Sequence, residues 1–331
     1  MTSLAIIGGG IAGKSLLFAL AKSKKNFSHL TVFDSDSFAH TCSLRSTAVV
    51  AARGLTSGHS ELGDLLIASF NTFSLHVQND LPDGVFPITQ FSAASTKLDQ
   101  FKQRYPEGKS SRQFLDLSFN QDLYLAQEPA YLIDPAIYLK WLSDESRHLP
   151  LELKNDFVMS VEELPQGIEI KTNNGHVELF DSVIFAGGAS NIFWREGIQD
   201  DLNKVKPVQG SYLEFKHADF GVRSFSLTLD GDNLIYHAHT KKLLLGSTTM
   251  PGQLEIAPVS SLQEIYQRLQ SHLQTTLPDF ATAEIKIGIR EKAPKRSPYM
   301  LNQGKRWWIG GYYKNGYSLG YHWAEKLISK F

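Results

Sequence analysis

The turn Gly8-Gly9-Gly10-Ile11-Ala12-Gly13 constrains this chain more than any other feature. It follows a short apolar run, residues 3–7, that reads as a buried strand. It precedes residues 12–22, where Leu16, Leu17, Ala19 and Leu20 form the broad apolar stripe of a helix. Residues 30–34 read as a second strand, so the chain opens β-α-β. In that setting Gly8-x-Gly10-x-x-Gly13 is the pattern of a dinucleotide-binding turn. Gly8 permits the tight turn, Gly10 the approach of backbone to a pyrophosphate, and Gly13 the close packing of helix on strand. The helix start, at Ile11 and Ala12, offers free N–H groups and positive partial charge to phosphates. Asp34 closes the second strand about 20 residues beyond Gly13, where an acidic side chain accepts ribose hydroxyls. The motif specifies a dinucleotide and does not separate FAD from NAD.

Bulk properties narrow the class. A chain of 331 residues with formal net charge −1 is long enough for two domains or one large one. Lysine and arginine are spread along it, which argues against a broad basic face for nucleic acid. No apolar run approaches bilayer-spanning length. Gly8 to Gly10 also interrupt any signal-peptide pattern, so a cytoplasmic protein without a membrane partner is expected. The single cysteine, Cys42, excludes an internal disulfide framework and multi-cysteine zinc sites. Oligomeric state is left open.

Past the opening unit the pattern changes. Residues 86–93 read as extended and 135–144 as a helix, with Ile137, Tyr138, Trp141 and Leu142 on one side. Residues 157–161, 167–172 and 177–185 read as strands, with Asn173-Asn174-Gly175 as the hairpin turn between the last two. Val183-Ile184-Phe185 is continuous and apolar, as suits a parallel strand buried on both faces, and it ends in Ala186-Gly187-Gly188. Residues 212–215, 224–229, 234–239 and 243–248 read as neighbouring antiparallel strands. Leu262, Ile265, Tyr266, Leu269 and Leu273 mark an amphipathic helix. Residues 285–289 and 307–310 read as late strands, and 318–330 as a closing helix. The order predicts an α/β fold (α+β overall) of two interleaved domains.

Several segments, taken in order, resemble the D-amino-acid oxidase family of flavoenzymes, in its glycine oxidase and sarcosine oxidase branch. Thr41-Cys42-Ser43-Leu44-Arg45-Ser46-Thr47-Ala48 resembles the small-residue loop that lies along the ribityl chain and flavin. Asp134-Pro135 is similar to the family's Asp-Pro helix start, and Val158 to its strand valine beside adenine. Val183 to Ser190 resembles the apolar strand ending in Ala-Gly, and Pro207-Val208-Gln209-Gly210 the Pro-x-x-Gly entry to the substrate domain. Leu243 to Thr248, Gly288-Ile289-Arg290 and Gly310 to Gly320 resemble its Gly-Ser/Ala-Thr strand, its Gly-x-Arg and its closing glycine-rich turn. The resemblance implies non-covalent FAD. It implies an FAD-binding Rossmann-like βαβ domain in three pieces (1–80, 132–205, 287–331). Interleaved with it would be a smaller substrate domain (81–131, 206–286) on an antiparallel or mixed sheet.

The chain also departs from that pattern. Asp34 stands for the usual Glu, Ala48 for Gly, Glu291 for the Pro after the arginine, and Lys314 for the Arg of Arg-Asn-Gly. The expected reaction is oxidation of the C–N bond of a small amine or amino acid, with hydride passing to flavin N5. Arg290 would grip a substrate carboxylate, since a guanidinium presents a planar fork to two oxygens. Tyr236 would complete the clamp from the strand roofing the flavin. Lys314, with the N–H groups of Lys314-Asn315-Gly316 beside Tyr317, would stabilise charge at the flavin N1/C2 edge. His237 and His239 share a strand face but suggest no third metal ligand, so no metal is expected. Two other readings stand beside this one: an oxidase of a larger amine such as a modified tRNA uridine, and a flavin-binding accessory protein without turnover.

Overall fold

The structure, a computed structural model, describes residues 2–35, 42–195, 204–252 and 257–330. From the N-terminus come β1 (Thr2–Ile7), α1 (Ile11–Lys22) and β2 (Phe27–Phe33), then β3 (Val49–Ala51) and α2 (Glu61–Asn79). Next are β4 (Val85–Ala94), α3 (Leu98–Arg104), β5 (Lys109–Phe114), β6 (Leu117–Ile133) and α4 (Pro135–Glu145). The middle holds β7 (Leu151–Lys154), β8 (Val158–Leu164), β9 (Gly167–Thr172), β10 (Val177–Phe180) and β11 (Ser182–Phe185). β12 (Lys206–Phe215), β13 (Phe225–Leu229), β14 (Asp232–His237), β15 (Lys242–Gly246) and β16 (Met250–Pro251) lead to α5 (Val259–His272). The chain closes with β17 (Glu284–Lys292), β18 (Tyr299–Gln303), β19 (Arg306–Gly310) and α6 (Gly316–Ile328).

These elements make three sheets, and the chain passes back and forth between them. A six-stranded sheet has the order β18-β19-β11-β1-β2-β7, parallel except for the β18–β19 pair. Leu4, Ile6, Leu30, Val32 and Ile184 on one face pack against α1 and α6. Ala5, Ile7, Phe33, Val183 and Phe185 on the other pack against the three-stranded β10-β9-β8 sheet. Alternation of side chains along each strand thus fills two core layers from one sheet. A ten-stranded mixed sheet carries α5 on one face, where Leu262, Ile265 and Leu269 meet Leu227, Leu234, Leu243 and Leu245. A further cluster, with Phe18, Val50, Phe73, Ile133, Tyr138 and Tyr321, joins the helices to β3 and β6. The fold is α/β (α+β overall), and among the described residues no helix is long and apolar enough to cross a membrane.

Local chemistry explains most element ends. Asp134 caps α4, accepting the N–H groups of Ala136 and Ile137, with Pro135 in the first turn. Two sequence expectations need correcting, and a third observation bears on where the chain divides. Residues 177–185 are two strands in different sheets, broken at Asp181, whose carboxylate accepts the Ser3 N–H (2.7 Å) and Ser3 Oγ (2.9 Å). Ile137 is 41% exposed, because the buried face of α4 is Tyr138, Leu139 and Leu142. β17 pairs with β12 along its whole length, from Lys206↔Lys292 to Glu214↔Glu284. Divisions after residues 131 and 286 therefore fall inside continuous strands, β6 and β17.

Candidate active site

The order of the parallel sheet reverses at β1, and a large cavity opens there, between the carboxyl ends of β1 and β11. Open α/β sheets bind ligands at such switch points. Gly8 has φ 109°, and a Cβ on it would lie 2.7 Å from the Cα of Gly187 in the turn after β11. Gly13 sits against the Gly8 carbonyl oxygen with no space for a Cβ, so α1 packs directly on the end of β1. The Asp34 carboxylate occupies the space a side chain at Gly9 would need. Gly10 caps α1 without a side-chain bond, and Ser43 Oγ accepts the Ile11 N–H at 3.0 Å. Tyr317 Oη donates to the Ser43 carbonyl at 2.5 Å, tying the same loop to α6. The N-termini of α1 and α6 therefore open into one cavity, and each brings partial positive charge.

The cavity measures 1080 Å³, at the upper edge of the roughly 300–1,000 Å³ of single small-molecule sites. That suits a dinucleotide with a substrate beside it. Phe33, Asp34, Val158 and Phe193 line it around the carboxyl end of β2. Gln90, Thr228 and Asn233 line it from the ten-stranded sheet, and Thr228 Oγ1 donates to Asn233 Oδ1 at 2.8 Å. Arg290 reaches it from β17. Its Nη2 lies 3.4 Å from Ser247 Oγ, its guanidinium fills the place of a side chain at Gly210, and its Nη1 is buried without a partner. Cys42 lines the cavity with Arg290; burial pushes its thiol up, and the Arg290 charge acts the other way. Lys314, accessible through the cavity, has its pKa pulled down to about 8 by burial and then by the charges of Arg290, Arg53, Arg296 and Lys292.

A family model described as FAD dependent oxidoreductase, DAO, matches residues 3–329. The chain belongs to the DAO family. It is an FAD-dependent oxidoreductase, and the glycine cradle, the paired helix N-termini and Asp34 fit that dinucleotide. Among curated relatives, glycine oxidase of Bacillus subtilis (strain 168) is 22% identical over 347 residues, spanning 94% of this chain and 88% of that protein. Among solved structures, glycine oxidase from Geobacillus kaustophilus superposes with a TM-score of 0.78 at 18% identity, covering 100% of this chain and 94% of that one. Dithionite-reduced L-alpha-glycerophosphate oxidase from Mycoplasma pneumoniae, with FAD bound, gives 0.82 at 16% identity, covering 99% and 94%.

Within this DAO chain the cavity gathers Gly8, Gly10, Ile11, Ala12, Asp34, Ser43, Arg45, Ser46, Thr47, Val158, Ala186, Gly187, Gly188, Arg290, Lys314, Gly316 and Tyr317. Thr41 lies outside the described residues. Other expected residues stand behind the wall. Gly13 packs on β1, and Gly288 lies against Cys42 and the Arg45 carbonyl, leaving the loop room to close down. Ala48 is buried at φ 36°, which accounts for a glycine being usual there. Asn315 gives its N–H to the Tyr312 carbonyl at 2.9 Å and is absent from the lining, so that group is spent on the turn.

The structure places Tyr236 away from the cavity. It is fully buried in the core beneath α5, its Oη 3.4 Å from the Ala218 carbonyl. Along β14 it points with Leu234, and Asn233 is the residue facing the cavity. Glu291 does not pair with Arg290, because adjacent strand residues point to opposite faces. It accepts Tyr299 Oη (2.6 Å) and the Gly311 N–H (2.8 Å), and burial pushes it up to about 7. His237 and His239 are not in the cavity wall; burial holds His237 down to about 4, and His239 stacks on Phe86. Among the lining residues that sequence reasoning missed are Arg53, Arg104, Arg296, Gln90, Thr228 and Asn233. One signal was readable: Gln90 and Ser92 alternate with Phe91 and Ala93 in a strand, and both polar residues are buried like the apolar ones between them.

Proposed function

We propose that this enzyme oxidises the C–N bond of a small amine or amino acid, with hydride passing from the substrate carbon to flavin N5. When bound, FAD supplies the electron sink for that chemistry. The observation that carries the reading is Arg290: a half-buried guanidinium, seated in the hollow of Gly210 beside Ser247 and on the wall of the cavity that begins at the glycine turn, with no carboxylate bonded to it among the described residues. A planar guanidinium fork on the wall of a partly enclosed cavity can take a carboxylate through charge-assisted bonds. The cations that hold down Lys314 act likewise on a substrate ammonium, favouring the free amine that oxidation requires. The similarity to proteins named glycine oxidase supports the same substrate class.

The test is anaerobic titration of the FAD-loaded protein with glycine, sarcosine and D-amino acids, watching the flavin bleach. Arg290→Ala should raise the concentration for half-reduction by about two orders of magnitude, the effect of losing a charge-assisted pair of roughly 3 kcal/mol. Bleaching unaffected by Arg290→Ala would remove the carboxylate clamp. No bleaching by any amine would remove amine oxidation itself.

A further inference from the structure

The cavity wall carries more positive charge than one carboxylate needs. Besides Arg45 and Arg104, four cations line it: Arg290, Arg53, from the segment after β3, Arg296, between β17 and β18, and Lys314, after β19. Among the described residues none of these four makes an ion pair with a carboxylate. Glu128 is the acid near Arg53: its carboxylate accepts the Gly54 N–H at 3.0 Å and acts on the Arg53 guanidinium through charge without a direct ion pair, and the guanidinium stays in the cavity wall. The Glu291 carboxylate is engaged by Tyr299 and Gly311.

Like charges gathered on a wall repel one another; burial first, and then the charges of Arg290, Arg53, Arg296 and Lys292, disfavour the charged form of Lys314. A pyrophosphate does not answer this cluster, because the glycine turn and the N-terminus of α1 provide its place. Arg290 has a built seat at Gly210 and takes one anion; Arg53, Arg296 and Lys314 are left for another.

We propose that the substrate is a dianionic amine, an amino acid with a second carboxylate or a phosphonate-type group. Its first anion rests on Arg290 and its second among Arg53, Arg296 and Lys314. This rests on the amine-oxidase reading above and names the substrate class within it.

Binding and turnover separate the two claims. In the FAD-loaded protein, inhibitor dissociation constants are read from perturbation of the flavin absorbance for butyrate, succinate and 3-phosphonopropionate. At least one dianion should bind tenfold or more tighter than butyrate, with a steeper loss of affinity on adding salt. Which of the two it is identifies the second anion as carboxylate or phosphonate. In Arg53→Met/Arg296→Met the dianion-to-butyrate ratio should fall to about one, and the single variant at exposed Arg296 should lower it part-way.

Equal affinity for butyrate and both dianions in the parent protein overturns the proposal, and that measurement needs no variant. A ratio that survives the double substitution overturns it too. In parallel, aspartate and glutamate, as both enantiomers, are compared with alanine and glycine for anaerobic flavin reduction, the acidic members being expected to reduce it at lower concentration. If no amine of either class reduces the flavin, amine oxidation fails, and the second anion site is still decided by the inhibitor ratios.

Discussion

At the scale of single residues, Glu291 couples the site to pH. It is 5% exposed, and burial raises it to about 7 from an ordinary value of 4.5. The native state thus holds the proton more tightly than the unfolded chain. The stability this contributes is complete below about pH 4.5 and is lost as pH rises through about 7. At 1.36 kcal/mol per unit the loss approaches roughly 3 kcal/mol. Glu291→Gln keeps the shape, can accept the Gly311 N–H and donate to Tyr299 Oη, and has no proton to lose. Melting of the FAD-loaded proteins from pH 5 to pH 8 should show the parent falling relative to the variant, with the widest gap above pH 7. A parent curve parallel to that of the variant would mean that Glu291 is already ionised at pH 5. The sequence displays Arg290-Glu291 as neighbours and invites an ion pair; strand alternation sends the two side chains into different environments. Tyr236 and Asn233 repeat the lesson, since strand parity decides which one meets the cavity.

Among elements, the βαβ opening was the most legible, because its function demands close approach at fixed spacing. Gly13 is where that demand is strictest: an added Cβ collides with the Gly8 carbonyl oxygen, and relief requires α1 to move off β1. Gly13→Ala should therefore lose most of its FAD on desalting, measured as flavin absorbance per protein, while far-ultraviolet circular dichroism stays near that of the parent. Full flavin retention would show that the turn yields without opening. α2 was less legible. Leu66, Phe70, Phe73 and Val77 have helical spacing, but Ser69 and His76 share its buried side and blur the apolar stripe. Residues 177–185 read as one strand because every position suits β structure. What divides them is Asp181 bonding to Ser3, a contact across 178 positions that no local pattern contains.

For the whole molecule, the cavity draws its walls from both large sheets, with Ala186 and Gly187 following β11 of one and Gln90, Thr228 and Asn233 on strands of the other. The sequence indicated α/β and antiparallel parts but not where they meet, since that surface is assembled from segments hundreds of positions apart. A cofactor held between the sheets binds the native arrangement alone and stabilises it by mass action, by about 2.7 kcal/mol at a hundredfold excess over its dissociation constant. If the sheets unfold together, raising FAD from its dissociation constant to a hundredfold excess should shift one melting transition upward by several degrees, followed equally by tryptophan fluorescence and far-ultraviolet circular dichroism. Trp307 and Trp308 lie on β19 of the parallel sheet, whereas circular dichroism weights both sheets. A fluorescence transition that climbs with FAD while part of the dichroism melts at a fixed lower temperature would show the ten-stranded sheet unfolding on its own. In that case the FAD contacts that matter for stability lie on the parallel sheet, and the opposite wall serves the substrate.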